Sequence, residues 1–275
     1  MNNLTQRVLL AVPGAALLIF MTWQGGWYLQ VTLALIALLV QHEMLRIVQQ
    51  AGYSTQPLFI YAFGLWILFA PHQELFPPLL PGFILLLLFL SITIIRPVEQ
   101  YLGQVFSTLF LGIYAPLGFS ALFGIRTIGS PEEGFILTIG LFMMVWGNDV
   151  FAYFGGKNFG KHLLAPSISP KKTWEGFISG ILGAAAGIGL VLWLVPFESP
   201  LSLLLLFPLV LLTSIFGPIG DLTESRLKRI AGVKDSSDIL PGHGGLFDRF
   251  DALILASLAC YIYLEIIQWL NYGGI

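Results

Sequence analysis

The chain has 275 residues, 56% of them hydrophobic and only 10% charged, against about 25% charged in an ordinary soluble domain. That balance excludes a single soluble core and points to a polytopic membrane protein, while a formal net charge of −2 selects no class of partner. The single cysteine, Cys260, excludes an intramolecular disulfide and a thiolate metal cluster; within its apolar run it reads as a small buried hydrophobe.

In chain order, Arg7 and the run "VLLAVPGAALLIFMTW" have the outline of a signal peptide. No convincing small-residue cleavage site follows and further apolar runs come at once, so a retained first helix is expected. Nine spans are predicted, at 8–23, 26–41, 57–70, 79–95, 103–125, 134–154, 174–195, 201–220 and 252–270. The third is short and flanked by Pro57, Pro71, Pro77 and Pro78, as in a tilted, broken or re-entrant segment. There is no internal repeat. The expected division is a region of about five spans over 1–125 and a catalytic region over 126–275. The latter carries two long polar connections, at about 155–173 and 221–251.

Lys and Arg collect on the cytoplasmic side of membrane proteins. With the N-terminus inside and nine spans, Arg7, Arg46, Arg96, Lys157, Lys161, Lys171, Lys172, Arg226, Lys228, Arg229, Lys234 and Arg249 all fall inside. Only Arg126 of the 13 basic residues falls outside. Both polar connections are then cytoplasmic, and the C-terminus lies outside.

The first connection follows Asp149, about five residues before the predicted end of span six, or roughly 7–8 Å below the boundary. A central carboxylate would cost about 2.5–3.5 kcal/mol on insertion scales. At the edge the cost is less, so a tolerated interfacial acid competes with a functional one. "GGKNFGK" has a phosphate loop's glycines and lysines, Lys157 and Lys161 among them, but lacks the full spacing and the Lys-Ser/Thr ending. In "SISPKKTWEG", Ser169, Lys171, Lys172 and Thr173 offer hydroxyls and ammonium groups suited to phosphates. The plainer reading is positive-inside anchoring, with Trp174 at the interface.

In the second connection "FGPIG" is expected to break span eight, with Asp221 the N-cap of a short new helix and Glu224 its capping partner. On that helix Asp221, Ser225, Lys228 and Arg229 share a face. They form either a metal-and-phosphate surface or a solvated charged one. Gly244 and Gly245 allow close backbone approach, and exposed N–H groups can cradle phosphate. His243 is a phosphate contact, a proton carrier or a turn residue. Asp248 and Asp251 stand where span nine begins, as caps or ligands. Asp221 and Asp248 are hard oxygen donors that suit Mg2+ shared with substrate phosphates.

Ser225, Lys228, Arg229, Lys234, Asp235, Leu240, Pro241, His243, Gly244, Gly245, Asp248, Arg249 and Asp251 fill a pattern of S-x-x-K-R, K-D, P-x-H-G-G and D-R-x-D over 27 residues. It closely resembles the signature of CDP-diacylglycerol synthases, or phosphatidate cytidylyltransferases. Asp221 fits the acid that precedes it there. The stretch from Asp149 through "SPKKTWEG" resembles the same family. The first 125 residues show likeness in hydropathy only.

The resemblance implies an all-helical bundle around a polar cavity open to the cytoplasm, in a bacterial inner membrane. It implies CTP and phosphatidic acid as substrates, CDP-diacylglycerol and diphosphate as products, and a homodimer. Mg2+ would sit at Asp221 and Asp248, with a second cation possible, and Lys228 and Arg229 would complete the catalytic group. Substrate contacts would come from Asp149, Lys157, Lys161, Ser169, Lys171, Lys172, Thr173, Ser225, Lys234, His243, Gly244, Gly245, Arg249 and Asp251. A CTP-dependent lipid or polyprenol kinase is the nearest rival, disfavoured by the complete signature. An ion-coupled transporter is the rival from another class, and would call for charges deep in several spans.

Overall fold

The computed structural model describes residues 3–70, 77–94, 98–195, 203–237 and 244–273, with side chains described over 11–70, 77–94, 101–195, 205–237 and 244–270. His243, Leu240, Pro241 and Arg96 lie outside the described residues, as does the side chain of Arg7. Among the described residues there are nine helices, one at each predicted span. They are α1 (Asn3–Gln24), α2 (Gly26–Gln50), α3 (Pro57–Phe69), α4 (Leu79–Thr93), α5 (Val98–Thr127), α6 (Pro131–Phe159), α7 (Trp174–Leu194), α8 (Leu203–Ile230) and α9 (Phe247–Gly273).

Six of these, α2 and α5 to α9, are long and apolar enough to cross a membrane. The described apolar parts of α1, α3 and α4 are shorter. The 13 residues of α3 reach about 20 Å, short of a hydrocarbon core of about 30 Å. Pro57 starts α3 at a position where a missing N–H costs nothing. Ser130 and Glu133 form a capping box at the start of α6, where Pro131 and two acids occupy the first turn.

The expected helical membrane fold holds, with two details changed. One is a small hairpin that was not expected: β1 (Leu163–Ala165) and β2 (Ser169–Thr173) pair antiparallel between α6 and α7. Gly160 leaves the helix in an extended conformation, and the segment after it, carrying Pro166 and Pro170, satisfies its backbone across a hairpin instead. The other is that "FGPIG" does not break span eight. Helix α8 runs unbroken through Pro208 and Pro218 to Ile230. Internal proline is tolerated in membrane helices where neighbouring groups satisfy the freed carbonyl. Asp221 is therefore mid-helix, and its reading as an N-cap falls.

The chain forms two compact units, one of Met1–Met21, Gly26–Ser120 and Leu227–Arg249, the other of Thr22–Gly25, Ala121–Arg226 and Phe250–Ile275. In the first, Leu33, Ala37, Val40 and Met44 of α2 are buried, and Phe59, Phe63 and Phe89 cluster with ring centroids 5.2–6.4 Å apart. Buried Gln41 donates to the carbonyls of Ile60 (3.0 Å) and Leu111 (3.1 Å), a polar tie between apolar helices. In the second unit α6 and α7 pack along a small-residue seam of Gly176, Gly180, Gly183 and Gly187. A Cβ at Gly183 or Gly187 would collide with the carbonyls of Gly147 or Met143, so the backbones touch where side chains would hold them apart. Arg126, the basic residue expected outside, donates to the carbonyls of Thr22 and Pro131.

Candidate active site

The α6–α7 seam brings the C-terminal end of α6 beside the N-terminal end of α7, and the hairpin closes the same end. Glu175 ties its base. The carboxylate accepts from the backbone N–H of Lys161 (3.1 Å) and His162 (3.2 Å), and lies 2.6 Å from His162 Nδ1. Trp174 N–H donates to the His162 carbonyl (2.9 Å), and Thr173 Oγ1 caps α7 by accepting from Gly176 N–H (3.1 Å). These bonds fix where Lys171 and Lys172 project.

A cavity of ≈ 560 Å³ lies within this unit. Its lining includes Asn148, Asp149, Tyr153, Lys157, Lys171, Lys172, Thr173 and Asp221. Three ammonium groups and two carboxylates thus face one space from α6, β2 and α8. Lys172 Nζ is 2.5 Å from Asp221 Oδ2, and Ser225 Oγ donates to Asp221 Oδ1 at 3.2 Å. Asp221, Glu224 and Asp251 each offer an oxygen such that the three lie within 4.8 Å of one another. Three carboxylates at that separation repel strongly unless a cation or ammonium group lies among them. The set is all hard oxygen and suits a divalent cation that keeps water or phosphate in its remaining positions.

Of the residues expected in the first connection, Asp149, Lys157, Lys171, Lys172 and Thr173 come together on the cavity. Ser169 lies in β2 opposite Ala165, and Lys161 is exposed at the hairpin base; neither lines the cavity. Two residues were not foreseen. Glu224, expected to be a capping partner, is only 2% exposed and belongs to the carboxylate group. Its spacing three residues after Asp221 on a continuous helix was the available signal. Asn148 is 3% exposed, and its Nδ2 has no hydrogen-bond partner among the described residues although the residue lines the cavity. A buried donor left so is costly unless a ligand or water accepts from it.

Most of the rest of the signature lies in the other unit, Asp251 belonging with Asp221. Lys228, 8% exposed, pairs with Asp248 at 2.5 Å. The second oxygen of Asp248 accepts from Ser236 N–H (2.9 Å), Ser236 Oγ (2.7 Å) and Gly245 N–H (2.8 Å). Gly244 has φ 76°, a left-handed turn that favours glycine, and a Cβ there would meet Asp248 Oδ2 at 2.7 Å. Asp248 therefore holds its loop with one oxygen and Lys228 of α8 with the other. Arg229, Lys234 and Arg249 are exposed, and Arg229 Nη1 lies 3.4 Å from the Val233 carbonyl. Asp251 is half-buried, one oxygen accepting from Ala252 N–H (2.7 Å).

The profile of the cytidylyltransferase family matches residues 5–267. A protein of Brucella abortus biovar 1 (strain 9-941) named phosphatidate cytidylyltransferase is 35% identical over 268 residues, covering 96% of this chain and 94% of that one. A Bacillus subtilis (strain 168) protein of the same name is 31% identical over 272 residues, covering 97% and 99%. One from Staphylococcus saprophyticus is 33% identical over 257 residues, covering 90% and 94%. With a match that spans nearly its whole length, and with the signature acids and lysines gathered at a cavity and a glycine-rich loop, the chain belongs to the cytidylyltransferase family.

Proposed function

We propose that this integral membrane protein is a phosphatidate cytidylyltransferase, joining CTP to phosphatidate to give CDP-diacylglycerol and diphosphate. The observation that carries the reading is the match, end to end, to proteins of that name in three bacteria. A phosphate oxygen of phosphatidate attacks the α-phosphorus of CTP, and the bond to the diphosphate leaving group breaks. The attacking oxygen is already anionic, so no general base is required. Lys157, Lys171 and Lys172 meet the triphosphate in the cavity and offset charge that grows on the leaving group. Asn148 offers its Nδ2–H to the same ligand.

Asp221, with Glu224 and Asp251 beside it, would hold a divalent cation, which supplies charge neutralisation for the phosphates. Mg2+ is the ion proposed. Asp221 is the better supported half of the expected Asp221 and Asp248 ligand pair. For Asp248 to bind a cation it would have to release Lys228 or Ser236. Lys228, Arg229, Lys234 and Arg249 are proposed phosphate contacts, with Lys228 parting from Asp248 to serve. We further propose the N-terminus and both polar connections inside the cell, and the C-terminus outside, because twelve of the 13 basic residues then lie on one side.

Purified protein given phosphatidate and CTP labelled at the α-phosphate should place the label in lipid, and γ-label should leave as diphosphate. Lipid carrying γ-label would make the protein a kinase. No transfer of either label, in protein shown to be folded, would remove the enzymatic reading. A reporter that works only outside the cytoplasm should be active when fused after Ile275, and a strong cytoplasmic reporter signal there would overturn the orientation.

A further inference from the structure

Helix α2 carries an acid that the signature does not include. Glu43 is fully buried, at 0% exposure, within a long apolar helix. An uncompensated carboxylate there would be very costly, and a buried acid in a membrane helix persists only with specific partners. Its partners all come from one place nearly two hundred residues away. Glu43 Oε1 accepts from Ser237 Oγ (2.6 Å) and Leu246 N–H (3.0 Å); Oε2 accepts from Ser236 Oγ (2.9 Å) and Phe247 N–H (2.8 Å). Leu246 and Phe247 stand at the start of α9, where backbone N–H groups have no partner within the helix. Glu43 caps that helix from another one.

The same carboxylate binds both ends of the glycine-rich segment, at Ser236 and Ser237 before it and at Leu246 and Phe247 after it. Ser236 Oγ lies between Glu43 Oε2 (2.9 Å) and Asp248 Oδ2 (2.7 Å), and its one proton serves one of them at a time. Through Ser236 the position of Glu43 is passed to Asp248, and through Asp248 to Lys228. Gly245 gives an independent sign of the same arrangement. A Cβ at that position would collide with Glu43 and with Ser236, so this signature glycine is required by the acid packed against it.

We propose that Glu43 is a positioning residue for nucleotidyl transfer: it pins Ser236 and Ser237 on one side and Leu246 and Phe247 on the other, so that Asp248 and, through it, Lys228 are held in one geometry for the substrate phosphates. It touches no reacting atom. The inference rests on the cytidylyltransferase reading of the previous subsection.

The test compares wild type, Glu43→Gln and Ser237→Ala as detergent-purified, monodisperse proteins, with kcat and KM for CTP measured at saturating phosphatidate. Gln keeps the volume but turns an NH2 toward at least one backbone donor that cannot reverse. Misplacement of a catalytic group by about 1 Å costs on the order of 100-fold. Glu43→Gln should therefore lower kcat by about 10- to 100-fold, with KM for CTP within about threefold. A purely structural role predicts less folded protein but an unchanged kcat per folded molecule, and that result overturns the proposal. If Glu43→Gln fails to insert, Ser237→Ala decides: it removes one donor of four, and should lower kcat several-fold in folded protein. An unchanged kcat in Ser237→Ala would then overturn it. Wild-type protein that forms no CDP-diacylglycerol defeats the functional reading itself. Active wild type with a fully active Glu43→Gln defeats this inference alone.

Discussion

Two acid–lysine pairs, each at 2.5 Å, occur one in each unit, and they are built differently. Asp221 and Lys172 keep 34% and 25% of their side-chain surface exposed and line a cavity. Asp248 and Lys228 keep 11% and 10%; one oxygen of Asp248 takes Lys228 and the other is taken up by its own loop. A half-exposed pair exchanges its partner for a ligand at little cost, whereas a buried one gives up its partner only at a larger cost. The first pair is equipped to receive a cation or phosphate. The second is equipped to hold a loop in one shape.

Four substitutions break or sharpen that contrast. The largest effect is expected on the buried pair. Asp248→Asn removes the carboxylate charge paired with the buried Lys228 ammonium and should destabilise the folded protein by about 3–5 kcal/mol, read as unfolding in detergent by tryptophan fluorescence. A loss below about 1 kcal/mol, the range of exposed pairs, would place Asp248 with the accessible acids instead.

Asp221→Asn should act the other way, leaving insertion and unfolding unchanged while turnover falls by about 100- to 1,000-fold, as when a group that stabilises transition-state charge is lost. Turnover across a Mg2+ titration checks it. A mutant that keeps near-normal turnover at limiting Mg2+ is not missing a metal ligand.

Lys172→Met should cost less than about 1 kcal/mol of stability, because its pair is partly exposed. Loss of a charge-assisted contact of about 1.5–3 kcal/mol should raise KM for CTP by about 10- to 100-fold. Equal effects on stability from Lys172→Met and Asp248→Asn would erase the contrast altogether.

The smallest effect is expected for Asn148→Ala. One neutral hydrogen bond to ligand, about 0.5–1.5 kcal/mol, corresponds to a KM change of about 2- to 10-fold. Stability should hold or rise, since the buried Nδ2 has no partner to lose among the described residues. A clear drop in stability with unchanged KM would make Asn148 a packing residue.

Much of this was legible in one dimension. Apolar runs marked the sites of all nine described helices, because a membrane helix must supply its own apolar length and satisfy its own backbone. Local chemistry marked Lys157, Lys171, Lys172, Asp149 and Asp221 as candidates, and the cavity gathers all five. Local chemistry failed at Pro218. A break was expected after "FGPIG", yet the helix continues, and so an apparent N-cap became a cavity carboxylate. The hairpin was missed for the converse reason: three- and five-residue strands with proline beside one and inside the other carry almost no periodic signal.

By itself the amino-acid sequence determined that the protein is built of membrane helices and which short segments carry side chains suited to phosphate. Hydropathy and motif spacing are properties of neighbours along a chain, and they survive without any knowledge of the fold. Only the tertiary structure decided how the acids divide their work. Glu43 lies about 200 positions from the loop it pins, Glu224 joins Asp221 and Asp251, and Asp248 closes on Lys228. Whether a buried carboxylate is a ligand, a cap or an anchor depends on which donors reach its oxygens. Those donors are brought by packing from distant parts of the chain, where no local pattern records them.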